Sequence, residues 1–192
     1  MKNSIPRKIV LIGASTGGPG QIEKILGALE KLEDTSIIIA QHMSEGFMPS
    51  FAKRLQEHYI NDISIAQNGN LLEVGKIYVC CGKTMVSKSA SGLTFSQEKS
   101  TEHAFNPDIN IVFKSFLAFT KDTEILSVIL TGIGSDGVEA CKMLSEKACV
   151  CITESEESAI VDGMPCRARK EVQNIKVQDI NDIVKSIKEF CS

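Results

Sequence analysis

The sequence predicts an α/β protein with a doubly wound, mostly parallel sheet and helices on both faces. Short, continuous apolar runs rich in β-branched residues recur along the chain, and such runs are typical of strands buried on both faces of a parallel sheet. Stretches with apolar residues at helical spacing alternate with these runs, as in βαβ units. The 192 residues are 43% hydrophobic, which is enough for one sizeable core, so we predict a single domain over residues 1–192.

The first part of the chain follows the order strand, helix, strand, helix. Residues 9–12 and 36–40 are the first two apolar runs. Pro19 suits the first turn of a helix, where a missing N–H is no loss, and a helical stripe of apolar residues follows it. A second helix is predicted from residue 47 to about residue 57.

The middle of the chain has a different pattern. Residues 63–66, 76–79, 84–87 and 93–96 are short segments of alternating polarity, and turn residues separate them. Such alternation is typical of strands with one solvated face. We therefore predict a small antiparallel β excursion at about 63–97, laid against the main sheet.

The last part returns to alternating helices and strands. A helix is predicted to open at Pro107, followed by a buried strand at 124–130 and a helix that ends near residue 146. Another strand is predicted at 148–153, and residues 180–187 carry the apolar stripe of a final helix.

The composition excludes several classes of protein. The net charge is −3, with no basic tail or Lys/Arg cluster, and Trp is absent, so we expect no nucleic acid partner. The apolar run near the N-terminus is too short for a signal peptide, and no run could span a membrane, so we expect no membrane insertion. The seven cysteines lack metal-site spacing, and we expect free thiols in a reducing cytoplasm.

The turn after the first strand carries the most informative motif. Residues 8–20 read K-I-V-L-I-G-A-S-T-G-G-P-G, and residues 13–17 fit G-x-S-x-G. In that pattern a sharp strand-to-helix turn exposes a serine hydroxyl beside unpaired helix N–H groups. Ser15 is therefore a candidate nucleophile. A glycine-rich turn before a helix also binds phosphates, and a plain structural turn is a third alternative.

Two other predicted strands end in side chains that suit the same chemistry. His42 follows the second strand and Asp136 follows the strand at 124–130. The functional crevice of an open α/β sheet lies beyond the C-terminal ends of its strands. A serine hydroxyl needs a base such as imidazole, and a carboxylate fixes the tautomer of that base. Each residue alone has a plainer explanation, as a helix cap or a loop histidine, but their coincidence favours catalysis.

Other polar residues are weaker candidates. His58 is expected to be solvated near a polar helix end, and His103 lies in a polar loop where it could border the site. Glu154, Glu156 and Glu157 are interpreted as a solvated turn.

Four motifs together carry a family resemblance. They are I-G-A-S-T-G-G-P at 12–19, Q-H-M at 41–43, L-T-G-I-G-S-D-G at 130–137 and E-E-S-A-I-V-D-G-M-P at 156–165. In this order and spacing they resemble the catalytic domain of the chemotaxis protein-glutamate methylesterases, the CheB family. The resemblance implies a Ser-His-Asp esterase with Ser15 as nucleophile, His42 as base and Asp136 as orienting acid. It also implies that the backbone N–H groups of Thr16 and Ile133 lie beside the oxyanion.

The resemblance further implies the substrate and the partner. The substrates would be glutamyl γ-methyl esters on the cytoplasmic helices of chemotaxis receptors, cleaved without a metal or a cofactor, and deamidation of receptor glutamines would be a second activity. The family usually carries an N-terminal receiver domain, whereas only residues 1–7 precede the first strand here. We therefore expect either a longer parent protein or an activity that phosphorylation does not gate.

The sequence departs from the family pattern at three places. Ile133 stands where methionine is common, and a backbone donor tolerates that change. Asp162 stands where an aromatic residue is common, and residues 106–110 read N-P-D-I-N where the family has R-P-S-V-D. The last two departures concern receptor recognition more than chemistry.

Two rival hypotheses stay open. The first is a phosphate- or nucleotide-binding module built on residues 13–20, although His42 replaces the acidic residue such a module needs and the loop lacks lysine. The second is a non-catalytic receptor-binding domain, which the presence of all three triad residues disfavours.

Overall fold

A computed structural model describes residues 5–98 and 105–192. These residues form nine strands and six α-helices. The strands are β1 (Lys8–Ala14), β2 (Thr35–Gln41), β3 (Asp62–Ile65), β4 (Lys76–Val79), β5 (Lys83–Ser89), β6 (Gly92–Glu98), β7 (Glu124–Ile129), β8 (Val150–Glu154) and β9 (Lys176–Gln178). The helices are α1 (Gly18–Ala28), α2 (Met48–His58), α3 (Ile109–Lys114), α4 (Val138–Glu146), α5 (Gly163–Glu171) and α6 (Ile180–Cys191).

Seven strands form one sheet in the order β3-β4-β2-β1-β7-β8-β9. Every neighbouring pair in this sheet is parallel. The chain first builds outward from β1 on the β2 side and then crosses to β7 on the other side, so the winding direction reverses at β1. Such a reversal opens a crevice at the C-terminal ends of the central strands. The predicted fold class is confirmed.

Two apolar cores cover the two faces of the sheet. Six of the seven residues of β1 are buried. Ile9 and Leu11 belong to the core that includes α3, α4 and α5, whereas Val10 and Ile12 belong to the core that includes α1, α2 and α6. Because successive side chains of a strand point to opposite faces, a strand covered on both sides must be apolar throughout.

The region at 63–97 is only partly antiparallel. β5 and β6 form an antiparallel two-stranded sheet, as predicted. β3 and β4 instead extend the parallel sheet, with β4 next to β2 and β3 at the edge. The prediction was wrong for these two strands. β3 has one solvated face and alternates in polarity whichever way its neighbour runs. β4 is buried at three of its four residues, and a segment of four residues is too short to indicate that it lies inside a parallel sheet.

The sequence patterns do not predict α5 or β9. α5 is a nine-residue helix whose exposed face is rich in charge, and β9 has only three residues.

Among the helices of residues 5–98 and 105–192, none has the length and apolar character needed to cross a bilayer.

Candidate active site

The loops that follow β1, β2 and β7 meet at one edge of the sheet. β1 lies between β2 and β7, and because all three strands are parallel, their C-terminal ends point the same way. Ser15 follows β1, His42 follows β2, and Asp136 lies between β7 and α4. The structure thus brings the three residues selected from the sequence into one crevice.

The Ser15 turn is shaped by a glycine and held by a glutamine. Gly17 is the N-cap of α1 and has a φ of +83°, which residues with a Cβ rarely adopt. The N–H of Gly18 donates to the Ser15 carbonyl at 2.9 Å and closes the turn. The buried Gln41 Nε2 donates to the carbonyls of Ser15 at 2.8 Å and His42 at 2.9 Å. One side chain therefore joins the serine loop to the histidine loop.

His42 and Asp136 form a close, buried pair. His42 Nε2 lies 2.7 Å from Asp136 Oδ2, and the Asp136 side chain is only 1% exposed. Asp136 Oδ2 also accepts from the Ile109 N–H at 2.8 Å, and Oδ1 accepts from the Asn110 N–H at 3.0 Å. These N–H groups begin α3, and a helix N-terminus favours negative charge. The carboxylate is thus oriented by backbone donors and presents one oxygen to the imidazole.

Asp136 does not cap the helix that follows it. The N-cap of α4 is Gly137, and no side chain caps that helix. The plainer alternative for Asp136 is therefore wrong, because its carboxylate binds the start of a different helix. The N-cap of α3 itself is Asp108, which accepts from the Ile111 N–H at 2.8 Å. Burial raises the pKa of Asp108, and the nearby charge of Asp136 adds to this rise.

The imidazole of His42 lies between Asp136 and an aromatic ring. Phe105 stacks on it with ring centroids 4.9 Å apart and planes 3° apart. Because Nε2 faces Asp136, Nδ1 is the nitrogen left to exchange a proton with a reactant.

Ser15 and His42 are joined through the backbone. The His42 N–H donates to the carbonyl of Ala14, the residue before the serine, at 2.8 Å. Both side chains are described, and no hydrogen bond joins the Ser15 hydroxyl to the imidazole. Nucleophile–base hydrogen bonds are often long in unliganded enzymes and tighten when the reactant binds.

The loop that follows β7 lies against Ser15. The Ser15 N–H donates to the Thr131 carbonyl at 3.0 Å. A Cβ built on Gly132 would lie 2.6 Å from Ser15 Cβ, so this approach requires glycine. Among the described residues, no acceptor pairs with the backbone N–H groups of Thr16 or Ile133. Unpaired N–H groups beside a nucleophile are the donors from which an oxyanion hole is built.

Comparison with known proteins identifies the family. Residues 10–187 match the model of the family described as CheB methylesterase. The chain belongs to the CheB methylesterase family. A crystal structure of the Thermotoga maritima CheB methylesterase catalytic domain superposes with a TM-score of 0.85 at 26% sequence identity, covering 95% of this chain and 97% of that one. The family resemblance inferred from the four motifs is confirmed.

Curated CheB relatives cover most of this chain. The protein-glutamate methylesterase/protein-glutamine glutaminase of Bacillus subtilis is 36% identical over 187 residues, which is 94% of this chain and 52% of that protein. The protein-glutamate methylesterase/protein-glutamine glutaminase 2 of Carboxydothermus hydrogenoformans is 36% identical over 167 residues, which is 84% of this chain and 47% of that protein. The chain therefore spans about half the length of the curated relatives it matches.

The sequence patterns missed a buried carboxylate in this CheB-family site. The prediction that Glu154 lies in a solvated turn is wrong, because Glu154 ends β8 and is 0% exposed. Its carboxylate accepts hydrogen bonds from Gln21 and from the Thr131 N–H. Glu156 and Glu157 are exposed, as predicted. The strand-end rule that selected His42 could have found Glu154, since β8 is the neighbour of β7.

The remaining candidates do not join the site. His58 is exposed at the end of α2, as predicted, and its Nδ1 contacts the Arg54 carbonyl at 2.8 Å. His103 lies outside the described residues. Within the described ranges no group of three His, Cys, Asp or Glu side chains is placed to hold a metal ion. All seven cysteines are free thiols.

Several exposed apolar side chains lie in loops at the edge of the sheet that carries Ser15 and His42. Phe47, Phe105, Ile133 and Ile160 are each more than half exposed and lie in loops at the C-terminal edge of the sheet. Ile160 lies against the serine turn, since a Cβ on Gly17 would be 2.7 Å from Ile160 Cβ.

An ion pair fixes the segment that carries Ile160. Asp162 accepts two hydrogen bonds from Arg169 at 2.9 and 2.5 Å. Arg169 also donates to the Glu154 carbonyl at 3.1 Å. The pair with Asp162 raises the pKa of Arg169, so the guanidinium stays charged throughout the physiological range.

Proposed function

We propose that this chain is the catalytic part of a serine esterase that hydrolyses glutamate γ-methyl esters on the cytoplasmic helices of chemotaxis receptors. The observation that carries the proposal is the pairing of His42 with the buried, helix-held carboxylate of Asp136 beside a serine on a glycine turn. Membership of the CheB methylesterase family supports the same chemistry. The curated relatives are named as methylesterases and glutaminases.

In the proposed reaction, Ser15 is the nucleophile. Its oxygen attacks the ester carbonyl while Nδ1 of His42 takes the hydroxyl proton. The Asp136 carboxylate holds the other ring nitrogen in its N–H form and stabilises the imidazolium. The N–H groups of Thr16 and Ile133 donate to the oxyanion, and each such donor is worth on the order of 3 kcal/mol of transition-state stabilisation.

His42 then acts as a general acid to complete acylation, and as a base again in the hydrolysis of the acyl-enzyme. The imidazolium of His42 gives its proton to the departing methoxide, so methanol leaves and an acyl-enzyme on Ser15 remains. A water molecule, deprotonated by His42, then attacks the acyl carbon. The imidazolium returns this proton to the Ser15 oxygen as the acyl bond breaks, which releases glutamate and free serine. No metal or cofactor takes part in this scheme.

Deamidation of receptor glutamines is a second activity within the same proposal. The relatives' names include protein-glutamine glutaminase. The same acyl-enzyme forms from a glutamine side chain, with His42 protonating the departing amide nitrogen so that ammonia leaves instead of methanol.

The test is methanol release from methylated receptor membranes. The parent protein is compared with Ser15→Ala and with Ser91→Ala, a control at an exposed hairpin turn. Release by the parent and the control, but not by Ser15→Ala, would support both the substrate and the nucleophile. Equal release by all three would contradict the role of Ser15. A folded parent that releases no methanol but is stabilised by nucleotides would favour the phosphate-binding alternative.

A further inference from the structure

Glu154 is a buried carboxylate that binds three separate segments. Its Oε1 accepts from Gln21 Nε2 on α1 at 2.6 Å and from the Ser158 hydroxyl at 2.8 Å. Its Oε2 accepts from the Thr131 N–H, after β7, at 2.9 Å. All three donors are uncharged. A carboxylate that is 0% exposed is tolerated only when such hydrogen bonds replace its hydration.

Thr131 connects this carboxylate to the nucleophile. The Thr131 carbonyl accepts from the Ser15 N–H at 3.0 Å. The Thr131 hydroxyl donates to the Thr16 carbonyl at 2.9 Å and accepts from the Val161 N–H at 2.8 Å. Thr131 is therefore hydrogen-bonded to Glu154 and also to Ser15 and Thr16.

We propose that Glu154 is a positioning residue for Ser15: by fixing Thr131, it sets the backbone of the serine turn and of the loop that carries Ile133. The inference rests on the proposed function, because it assigns a role in that reaction. If the loop that contains Thr131 and Ile133 moved by about 1 Å, both the nucleophile and the oxyanion donors would be misaligned. Glu154 touches no reacting atom, so it acts only through Thr131.

The alternative is that Glu154 serves stability alone, and the chain contains a matched control for it. Asn61 is also buried, and it also satisfies backbone groups, since it accepts from the Leu32 N–H at 2.9 Å and donates to the Glu30 carbonyl at 3.0 Å. It lies directly before β3, at the opposite edge of the sheet from Ser15. Asn61→Ala therefore removes a comparable anchor without touching the crevice.

The experiment measures the rate at which a fluorophosphonate probe labels Ser15, followed by intact mass. This rate reports the nucleophile and the oxyanion donors without requiring a receptor substrate. Glu154→Leu removes all three acceptor contacts at similar size, and we expect labelling to slow by about tenfold to 100-fold. Glu154→Gln is the conservative variant, because its amide oxygen can still accept from Thr131 while Gln21 turns its own oxygen toward the new NH2 group. It should stay within about threefold of the parent.

A direct structural readout accompanies the rate. Amide hydrogen exchange at Thr131 should accelerate in Glu154→Leu and stay unchanged in Asn61→Ala, because only the first variant removes the acceptor of that N–H. If Glu154→Leu does not fold, Gln21→Met carries the test. It deletes the 2.6 Å bond to the carboxylate and should slow labelling by about threefold or more.

The outcomes separate this inference from the proposed function. Slow labelling of Glu154→Leu, with normal labelling of Glu154→Gln and Asn61→Ala, would support the positioning role. Equal rates for the parent and Glu154→Leu, or for the parent and Gln21→Met where that variant is needed, would overturn the role and leave the esterase proposal intact. Equal slowing by Asn61→Ala would also overturn it, since the loss would then reflect stability alone. A folded parent that the probe does not label would overturn both.

Discussion

Replacing Asp136 with asparagine should remove most of the proposed esterase activity while the protein stays folded. Asparagine keeps the shape of the side chain but substitutes an NH2 group for one carboxylate oxygen and removes the charge. Both Asp136 oxygens are occupied, one by His42 and Ile109 and the other by Asn110. In either amide orientation, one N–H of α3 therefore faces an NH2 group.

The two consequences differ greatly in size. One buried N–H without an acceptor costs about 1–3 kcal/mol of stability, against a total of roughly 5–15 kcal/mol for a typical domain. The catalytic loss is larger, because no negative charge stabilises the imidazolium and an NH2 group facing Nε2 of His42 would place the ring proton on Nδ1. That is the wrong tautomer for a base, and the same change in another serine hydrolase lowers kcat by about 10⁴-fold.

The assay pairs fluorophosphonate labelling of Ser15 with methanol release, and urea unfolding checks that Asp136→Asn is folded. Glu139→Gln is the matched control, since Glu139 lies on the first turn of α4 and its side chain is 66% exposed. We expect the control to equal the parent within about twofold. A folded Asp136→Asn protein that retains a tenth or more of the parent's activity would refute the assignment of Asp136 as the group that orients His42.

Three further predictions follow from particular contacts. Gly132→Ala should lower activity at least 100-fold, because the new Cβ would lie 2.6 Å from that of Ser15; parent-like labelling would contradict the packing described. Burial raises the pKa of the Asp108 carboxyl group. The folded state therefore binds the carboxyl proton more tightly than the unfolded state does, and ionisation of Asp108 opposes folding. The stability of Asp108→Asn relative to the parent should therefore increase as the pH rises above 3.8, and a pH-independent difference in urea unfolding would contradict this. Arg169→Gln breaks the pair with Asp162 and should cost about 1 kcal/mol in urea unfolding, with faster amide exchange in the 155–162 segment; unchanged exchange there would count against a holding role.

The central strands and the crevice could be predicted because their causes are local. β1 and β7 are covered on both faces. A strand buried on both faces must be apolar at successive positions, so it is visible in the sequence as a continuous apolar run. The polar residue after such a run lies at the C-terminal edge wherever the strand sits in the sheet. The positions of Ser15, His42 and Asp136 could therefore be inferred without knowing the order of the strands.

The features that were missed depend on contacts between distant segments. β3 and β4 were assigned to the antiparallel part because four residues are too few to indicate the direction of a neighbouring strand or, for β4, its burial between β3 and β2. Glu154 has the same residue type as the exposed Glu156 two positions later. Its burial depends on Gln21, which is 133 positions away in the sequence and supplies one of its donors. The position of Glu154 at the end of a strand could have indicated it as a candidate, but the residues around it do not show that distant donors replace its hydration.

The orientation of His42 depends on residues 105–110, a segment that leads into α3. Residues 105–110 supply the Phe105 ring that stacks on the imidazole and the two N–H groups that hold Asp136. The Asn106 carbonyl also accepts from the Met43 N–H at 2.9 Å, directly after the histidine. One segment therefore contacts the face of the His42 ring, the backbone directly after His42 and the carboxylate of Asp136. A substitution within residues 106–110 should therefore change the proposed chemistry through the position of His42.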